Sequence, residues 1–450
     1  MKKKIPVNHP VRSSLFFDME IIPVASLKPR DRNPRTHSKK QILQIVKSIE
    51  EFGFINPILT DARGRIIAGH GRVEAVKLLG MKLLPAIRLE GMSEAQLRAY
   101  ALADNRLAQI SEWDEELCAL EFKYIQELQI DFDLELTGFE TAEIDRYLEI
   151  LNPAGEDPAA DSIPEADPAE PPVSRFGDLW RLGRHRLLCG DATQRDEFLK
   201  LLGDQKAQLV FTDPPYNVPI DGHVSGLGAV RHEDFRMASG EMTEAEYTDF
   251  LRTAFTHLAA FSTDGAIHFI CADWRHAYEF LTAGRAVYSE LKNLIVWVKT
   301  NAGMGTFYRS QHELIFAFKN GTSPHINNFE LGQHGRHRAN VWSYAGGNAF
   351  KPDRLEELAM HPTVKPVAMI ADALKDCSKR GGVVLDPFAG SGTILIAAQK
   401  TGRRAYAMEI EPKYVDTAIR RWEEYSGGEA THAENFLTFA QIKEERAHGR

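Results

Sequence analysis

Seven apolar runs recur between residues 185 and 410: HRLLCGD, AQLVFTD, AIHFICA, NLIVWVK, HELIFAF, GVVLDPF and RAYAMEI. Helical patterns fall between them, among them TEAEYTDFLRTAFTHLAAF and TVKPVAMIADALKDCS. Apolar strands separated by helices must be covered on both faces, which demands a mostly parallel α/β sheet of the doubly wound, Rossmann-like kind. Such a sheet also says where a ligand sits: in the crevice beyond the carboxyl ends of the strands.

One strand end has the form of a cofactor turn. The run Val383–Leu385 ends at Asp386, Phe388-Ala-Gly-Ser-Gly392 follows, and a helix starts near Thr393. Glycines at Gly390 and Gly392 let the chain turn sharply and let a ligand approach the backbone. The next strand ends at Glu409, 19 residues after Gly390, where doubly wound folds place an acid on ribose hydroxyls. No G-K-[ST] follows the glycines, and Leu395 stands where a dinucleotide fingerprint needs its third glycine.

A second strand end, Phe211-Thr-Asp-Pro-Pro-Tyr-Asn217, joins an acid, two prolines and a ring. Asp213 offers a carboxylate acceptor, and Tyr216 a flat π-face. Pro214 and Pro215 fix φ and donate no N–H, so the turn offers carbonyls. Such a turn suits an amino group on a planar ring, as in a nucleobase. Two acceptors drawing on the amine protons favour a pyramidal nitrogen with an available lone pair.

These motifs resemble the amino-group DNA methyltransferases that use S-adenosylmethionine, over about residues 175–425. The order, with the catalytic turn about 175 residues before the glycine turn, is that of the β class. HPTVKP (His361–Pro366) stands where that class starts a cofactor-binding helix, and LLCGDAT just before the catalytic strand. The resemblance implies that Asp213, Pro214, Pro215 and Tyr216 hold the target base. Phe388, Gly390, Ser391, Gly392 and Thr393 would pack around the cofactor, with Asp386 nearby. It further implies Thr363 and Lys365 for the methionine carboxylate, Glu409 for the ribose, and Asp191 with Ala192 for the adenine. Asp in the catalytic turn favours adenine N6 over cytosine N4. No metal is implied, since the sulfonium already activates the methyl group.

The target amine lies inside the duplex stack, so the base must be flipped out of double-stranded DNA. Candidate DNA-gripping stretches are residues 217–241 and 323–354, the latter with Arg336, Arg338, Lys351 and Arg354. Residues 297–313, with Tyr308 and Arg309, are a candidate lining of the base pocket.

Residues 19–110 alternate strand and helix patterns and resemble the N-terminal domain of ParB-like partition proteins. The family's G-x-x-R-x-x-A is met by Gly69, Arg72 and Ala75, and its second nucleotide-contacting segment by Asp104-Asn105-Arg106. The usual G-E-R-R is Gly69-His70-Gly71-Arg72, so His70 replaces the acid. The resemblance implies phosphate, nucleotide or DNA-backbone contact through Gly69, His70, Arg72, Asn105 and Arg106. A non-enzymatic, partition-like DNA-binding protein is the rival reading, and the intact FTDPPYN and FAGSG turns weigh against it.

Charge divides along the same lines. Of the formal net charge of −9, residues 1–110 carry +9, residues 111–172 carry −17 and residues 173–450 carry −1. The acid is thus concentrated in one middle segment, and the basic first part suits non-specific DNA contact. Residues 111–151 read as acidic helical hairpin material, 152–174 as an extended Pro- and acid-rich linker, and 426–450 as a tail. The four widely spaced cysteines form no metal or disulfide pattern, and no apolar run is long enough to span a membrane. A cytoplasmic protein is expected, with a homodimer left open.

Overall fold

A computed structural model describes residues 17–30, 35–128, 132–151, 157–164, 170–217, 240–300, 302, 307–332, 336–345 and 364–448. The chain divides into two compact units, residues 1–151 and 152–450.

The first unit holds β1 (Met19–Pro23), α1 (Lys39–Phe52), β2 (Ile58–Asp61), β3 (Ile66–Ala68), α2 (His70–Leu78), β4 (Leu83–Leu89) and α3 (Glu94–Gln109). Its sheet runs β1-β4-β2-β3, with only the β2–β4 pair parallel. Local chemistry sets the helix ends: Ser38 caps α1, Gly53 stops it at φ 78°, and Ser93 with Gln96 forms a capping box on α3. Two further helices, α4 (Glu115–Glu127) and α5 (Thr141–Leu151), close on a separate aromatic core of Phe122, Phe139 and Tyr147.

The second unit comprises α6 (Pro158–Asp161), β5 (Leu179–Leu182), β6 (His185–Cys189), α7 (Arg195–Leu202), β7 (Ala207–Thr212), α8 (Glu244–Ala260), β8 (Ser262–Ala272), α9 (Ala277–Val287), β9 (Glu290–Val298), β10 (His312–Lys319) and β11 (Val341–Ser343). It continues with α10 (Val367–Cys377), β12 (Val383–Asp386), α11 (Thr393–Thr401), β13 (Arg404–Glu409), α12 (Pro412–Ser426), β14 (Ala430–His432) and α13 (Phe439–His448). The sheet order is β11-β9-β10-β8-β7-β12-β13-β6-β5-β14. From β8 through β6 all neighbours are parallel. Helices cover both faces with apolar side chains, and the central strands β6, β7, β8, β12 and β13 are mostly buried, as continuous apolar runs require, whereas β9 is largely exposed. All seven runs are strands, but β10 is antiparallel to both its neighbours.

Two expectations need correction. The described parts of 152–174 are not an extended linker but a strap on the second unit. Ala160, Ile163 and Val173 are buried. Asp416 accepts from the backbone N–H groups of Val173 (2.6 Å) and Ser174 (2.9 Å), and Asp161 accepts from Val367 at the start of α10 (2.9 Å). Asp157 pairs with Lys400 at 2.8 Å, and Glu170 with Lys443 at 2.6 Å. The acids that suggested solvation find cations on the unit's own helices. Nor are residues 426–448 a tail: β14 adds an edge strand, and α13 buries Phe439 and Ile442. Arg446 then pairs with Asp178 at 2.5 Å. No helix among the described residues is long and apolar enough to cross a membrane.

Candidate functional site

The crevice lies between β7 and β12. The chain after β7 moves outward to β8, and after β12 outward the other way to β13, so connections diverge there. The FTDPPYN and DPFAGSG turns leave these two adjacent parallel strands. They are tied directly: the Thr212 hydroxyl donates to Asp386 Oδ1 at 2.7 Å. Two loops 175 residues apart in sequence therefore share one hollow.

Beyond Thr212, Asp213 is one-fifth exposed and held from two sides. The Tyr216 hydroxyl donates to its Oδ1, and the Lys365 ammonium to its Oδ2. Lys365 is itself buried, and its ammonium also lies 3.2 Å from Glu313 Oε2 on β10. Glu313 Oε1 in turn accepts from Lys299 at 2.5 Å, and Oε2 stands 3.4 Å from the Tyr216 hydroxyl. Two acids and two lysines thus gather around one tyrosine. Burial raises the pKa of Asp213; Lys365 opposes that, and the Glu313 charge adds to it. Glu313 goes the other way, to about 2, because Lys365 and Lys299 outweigh its burial. Burial also works against the Lys365 charge, but Asp213 and Glu313 overcome it and hold the ammonium protonated.

The prolines divide their work. The Pro215 carbonyl accepts from the Tyr247 hydroxyl at 2.7 Å, which fixes the turn on α8. The Pro215 carbonyl is thus already engaged within the unit. Tyr216 packs edge-on against Phe280, which orients its ring. Asn217, at φ 53°, donates to the Met242 carbonyl at 2.8 Å and accepts from the N–H groups of Gly240 and Met242. It therefore pins together both ends of the stretch between.

On the cofactor side, the two glycines differ. Gly390 has φ 50°, its N–H donates to Glu409 Oε2 at 2.8 Å, and the direction a Cβ would take is open. Gly392 has φ 76°, but a Cβ there would come within 2.7 Å of Ala418 on α12. Ser391 and Thr393 turn away to Arg421, a buried cation whose Nη1 reaches their hydroxyls at 3.2 and 3.1 Å. Their side chains brace the turn from behind. Asp386 and Glu409 are buried, with no ion-pair partner among the described residues. Burial, with the neighbouring acids adding to it, lifts Asp386 to about 7 and raises Glu409 as well. Two carboxylates short of positive charge beside an open glycine suit a cationic ligand with hydroxyls. Asp191 forms a turn, accepting from the N–H and hydroxyl of Thr193, both at 2.8 Å. Ala192 beside it is buried.

The DNA-gripping expectations divide. Arg336 and Arg338 are turned inward, 11% and 18% exposed, onto Asp376 (2.9 and 2.8 Å) and Asp372. In this arrangement they hold the chain to α10 rather than face a duplex. Arg309 is exposed, next to Phe307 and Tyr308, which are 87% and 85% exposed and pack against each other with their rings tilted by 57°. Lys351, Arg354, His361 and Thr363, with residues 218–239, lie outside the described residues. Lys365, expected near a methionine carboxylate, lies on Asp213. Glu313, Lys299 and Arg421 were missed by sequence reasoning; only a charge embedded in or beside an apolar strand, as in HELIFAF and WVK, marked the first two.

In the first unit, Gly69 at φ 94° starts α2. Arg72 donates to the Asn56 carbonyl at 2.8 Å, and Arg35 to Asn105 Oδ1 at 2.5 Å. His70 is half-buried, its Nε2 lacks a hydrogen-bond partner among the described residues, and its pKa is lowered by burial, then by His37 and Arg30. Arg106 is exposed. Basic side chains thus gather around one helix start. Among the described residues no metal-ligand cluster occurs, and all four cysteines are free thiols.

Known families match three stretches of the chain. The DNA methylase family matches residues 207–420, the ParB N-terminal domain residues 15–106, and the ParB-methyltransferase HTH domain residues 116–176. The last gives the acidic helical segment a name that its charge did not suggest. Over 74 residues the chain is 49% identical to the ParB-like nuclease domain-containing protein YnaK of Escherichia coli (strain K12), covering 16% of this chain and 85% of that one. It is 28% identical over 247 residues to the type II methyltransferase M2.DpnII of Streptococcus pneumoniae, covering 50% of this chain and 86% of that one. Against M.HinfI of Haemophilus influenzae the figures are 26% over 258 residues, 53% and 68%. Among solved structures, the M1.HpyAVI–SAM complex is 18% identical with a TM-score of 0.39, covering 52% of this chain and 97% of that one.

Proposed function

Since the chain belongs to the DNA methylases of the N6/N4 type and carries an N-terminal ParB domain, we propose that it methylates the exocyclic amine of a base flipped out of duplex DNA, adenine N6 in particular. The observation that carries this reading is the Thr212–Asp386 bond, which joins the acceptor turn and the glycine turn at one crevice. The buried acids Asp386 and Glu409 and the open side of Gly390 fit S-adenosylmethionine, with Glu409 toward the ribose and Asp386 toward the cationic end. When bound, that cofactor supplies a methyl group activated on a sulfonium centre.

The chain's own residues do the rest. The Tyr216 ring receives the planar base. Asp213 and the Pro214 carbonyl accept from the amine, drawing its lone pair out of conjugation. Their placement at a rigid strand tip supplies orientation before reaction. Asp213, rather than a serine, at the head of the turn supports adenine. Asp191 and Lys365 are proposed to serve the cofactor's adenine and carboxylate ends. Arg30, Arg35, Arg72 and His70 in the first unit are proposed to hold nucleotide or DNA phosphates, in keeping with its basic charge.

The test is incubation of mixed-sequence DNA with methyl-labelled cofactor, then nucleoside mass spectrometry. Labelled N6-methyladenine is the expected product. N4-methylcytosine would overturn the base assignment, and no labelled nucleoside would overturn the reading itself.

A further inference from the structure

The direction of β9 can be followed from β7. β8 is parallel to β7, β10 is antiparallel to β8, and β9 is antiparallel to β10. β9 therefore runs with β7, and its carboxyl end opens on the same edge as the FTDPPYN turn. Side chains place it more closely. The Lys365 ammonium, which binds Asp213, stands 5.7 Å from the centre of the Tyr216 ring and 5.8 Å from that of Trp297 on β9. Glu313 on β10 accepts from Lys299 at 2.5 Å and lies 3.2 Å from the same ammonium. The Lys299 N–H donates to the Gln311 carbonyl at 2.9 Å, so the stretch between these two residues starts and ends on the base side of the crevice.

That stretch carries Phe307 and Tyr308. Phe307 lies four residues before Gln311, so its Cα is at most about 14 Å from that closure even on a fully extended chain. Two adjacent rings left 87% and 85% open to solvent add little to the unit's own core, and they stand at the edge that duplex DNA must approach. Their centroids are 4.4 Å apart, so each supports the other. A base that leaves the stack creates a need they can meet. It leaves a flat, apolar gap between its former neighbours. A phenyl ring matches that gap in shape and brings no polar atom into it, whereas the Tyr308 hydroxyl would lose its water there.

We propose that Phe307 is a wedge: its ring enters the duplex and fills the gap left by the target base, with Tyr308 backing it. The proposal rests on the methyl-transfer reading, but it assigns the opening of the duplex to a residue outside the base and cofactor turns. The rival role for these rings is to line the base pocket itself. A pocket wall is needed however easily the base leaves the duplex; a wedge is needed most when the base is well paired and stacked.

Phe307→Ala in the full chain tests this on the duplex site that the methylation assay maps. Single-turnover methylation should fall about tenfold, the size of one lost ring–base stack. Phe307→Trp, which restores a flat ring, should recover most of the rate. The thermal melt and the binding of S-adenosylmethionine should match wild type, because the ring is exposed. With the target base mismatched, leaving the stack is already easy, and the deficit of Phe307→Ala should shrink to within about twofold. An equal deficit on matched and mismatched duplexes would make the ring a pocket wall and overturn the wedge. So would a wild-type rate of Phe307→Ala on the matched duplex. If wild type transfers no methyl group, the functional reading fails and takes the wedge with it.

Discussion

The Thr212 hydroxyl and the Asp386 carboxylate are hydrogen-bonded at 2.7 Å across the seam between β7 and β12. The same Asp386 oxygen accepts from the Phe388 N–H at 3.1 Å, so one carboxylate sets the shape of the glycine turn and its distance from the acceptor turn. The spacing between the two halves of the site is therefore built into a single buried acid.

Replacing that acid should show in the pH dependence of stability. Asp386 titrates near 7 in the folded chain, above its ordinary 3.8. Between those values the folded protein keeps a proton that the unfolded chain has released, so this group's contribution to stability falls as pH rises and is flat above. Asp386→Asn abolishes that fall. The Tm of the variant relative to wild type, followed from pH 4 to 8 by calorimetry, should therefore shift in the variant's favour as pH rises.

Asp213→Ala should abolish methyl transfer while cofactor affinity, measured by calorimetry, stays within a few-fold of wild type. Lys365 retains Glu313 as its partner, so the variant should fold. Wild-type rates of methylation in this variant would remove Asp213 from the base-binding role.

The two glycines of the turn should fail differently. Gly392→Ala forces a Cβ against Ala418 in a left-handed conformation and should cost about 1–3 kcal/mol of stability. Gly390→Ala meets only the left-handed strain, about 1 kcal/mol, but projects a methyl into the open hollow. Thermal melts should rank Gly392→Ala as the less stable, and binding of S-adenosylmethionine should rank Gly390→Ala as the weaker.

Arg336→Ala should act on folding before it acts on DNA. Its removal leaves buried Asp376 with Arg338, and Asp372 with Arg338 and Lys375, so the loss is that of hydrogen bonds to buried carboxylates, about 1.5–3 kcal/mol. A lowered Tm with an unchanged salt dependence of DNA binding is the expected pair of results. A reduced salt slope at unchanged Tm would return this arginine to the DNA surface.

The strands and the glycine turn were legible because burial on both faces leaves a continuous apolar run, and because φ near +50° to +76° selects glycine at 390 and 392. Strand direction was not legible: HELIFAF reads the same parallel or antiparallel, and only its partners make β10 antiparallel. Side-chain partners separated by hundreds of residues were equally hidden. Nothing near Glu313 announces Lys365, and nothing near Arg336 announces Asp376. Composition misled where acids have cations waiting, as with Asp157 and Glu170.

The strap has a practical meaning for dissecting the protein. A catalytic fragment begun at residue 175, where the proline-rich stretch ends, would discard Asp161, whose carboxylate fixes the first N–H of the helix that follows Lys365. It would also expose apolar surface where Ala160, Ile163 and Val173 had been seated. The shortest autonomous catalytic piece should accordingly begin before Asp157, and fragments trimmed further should be poorly soluble even with every motif intact.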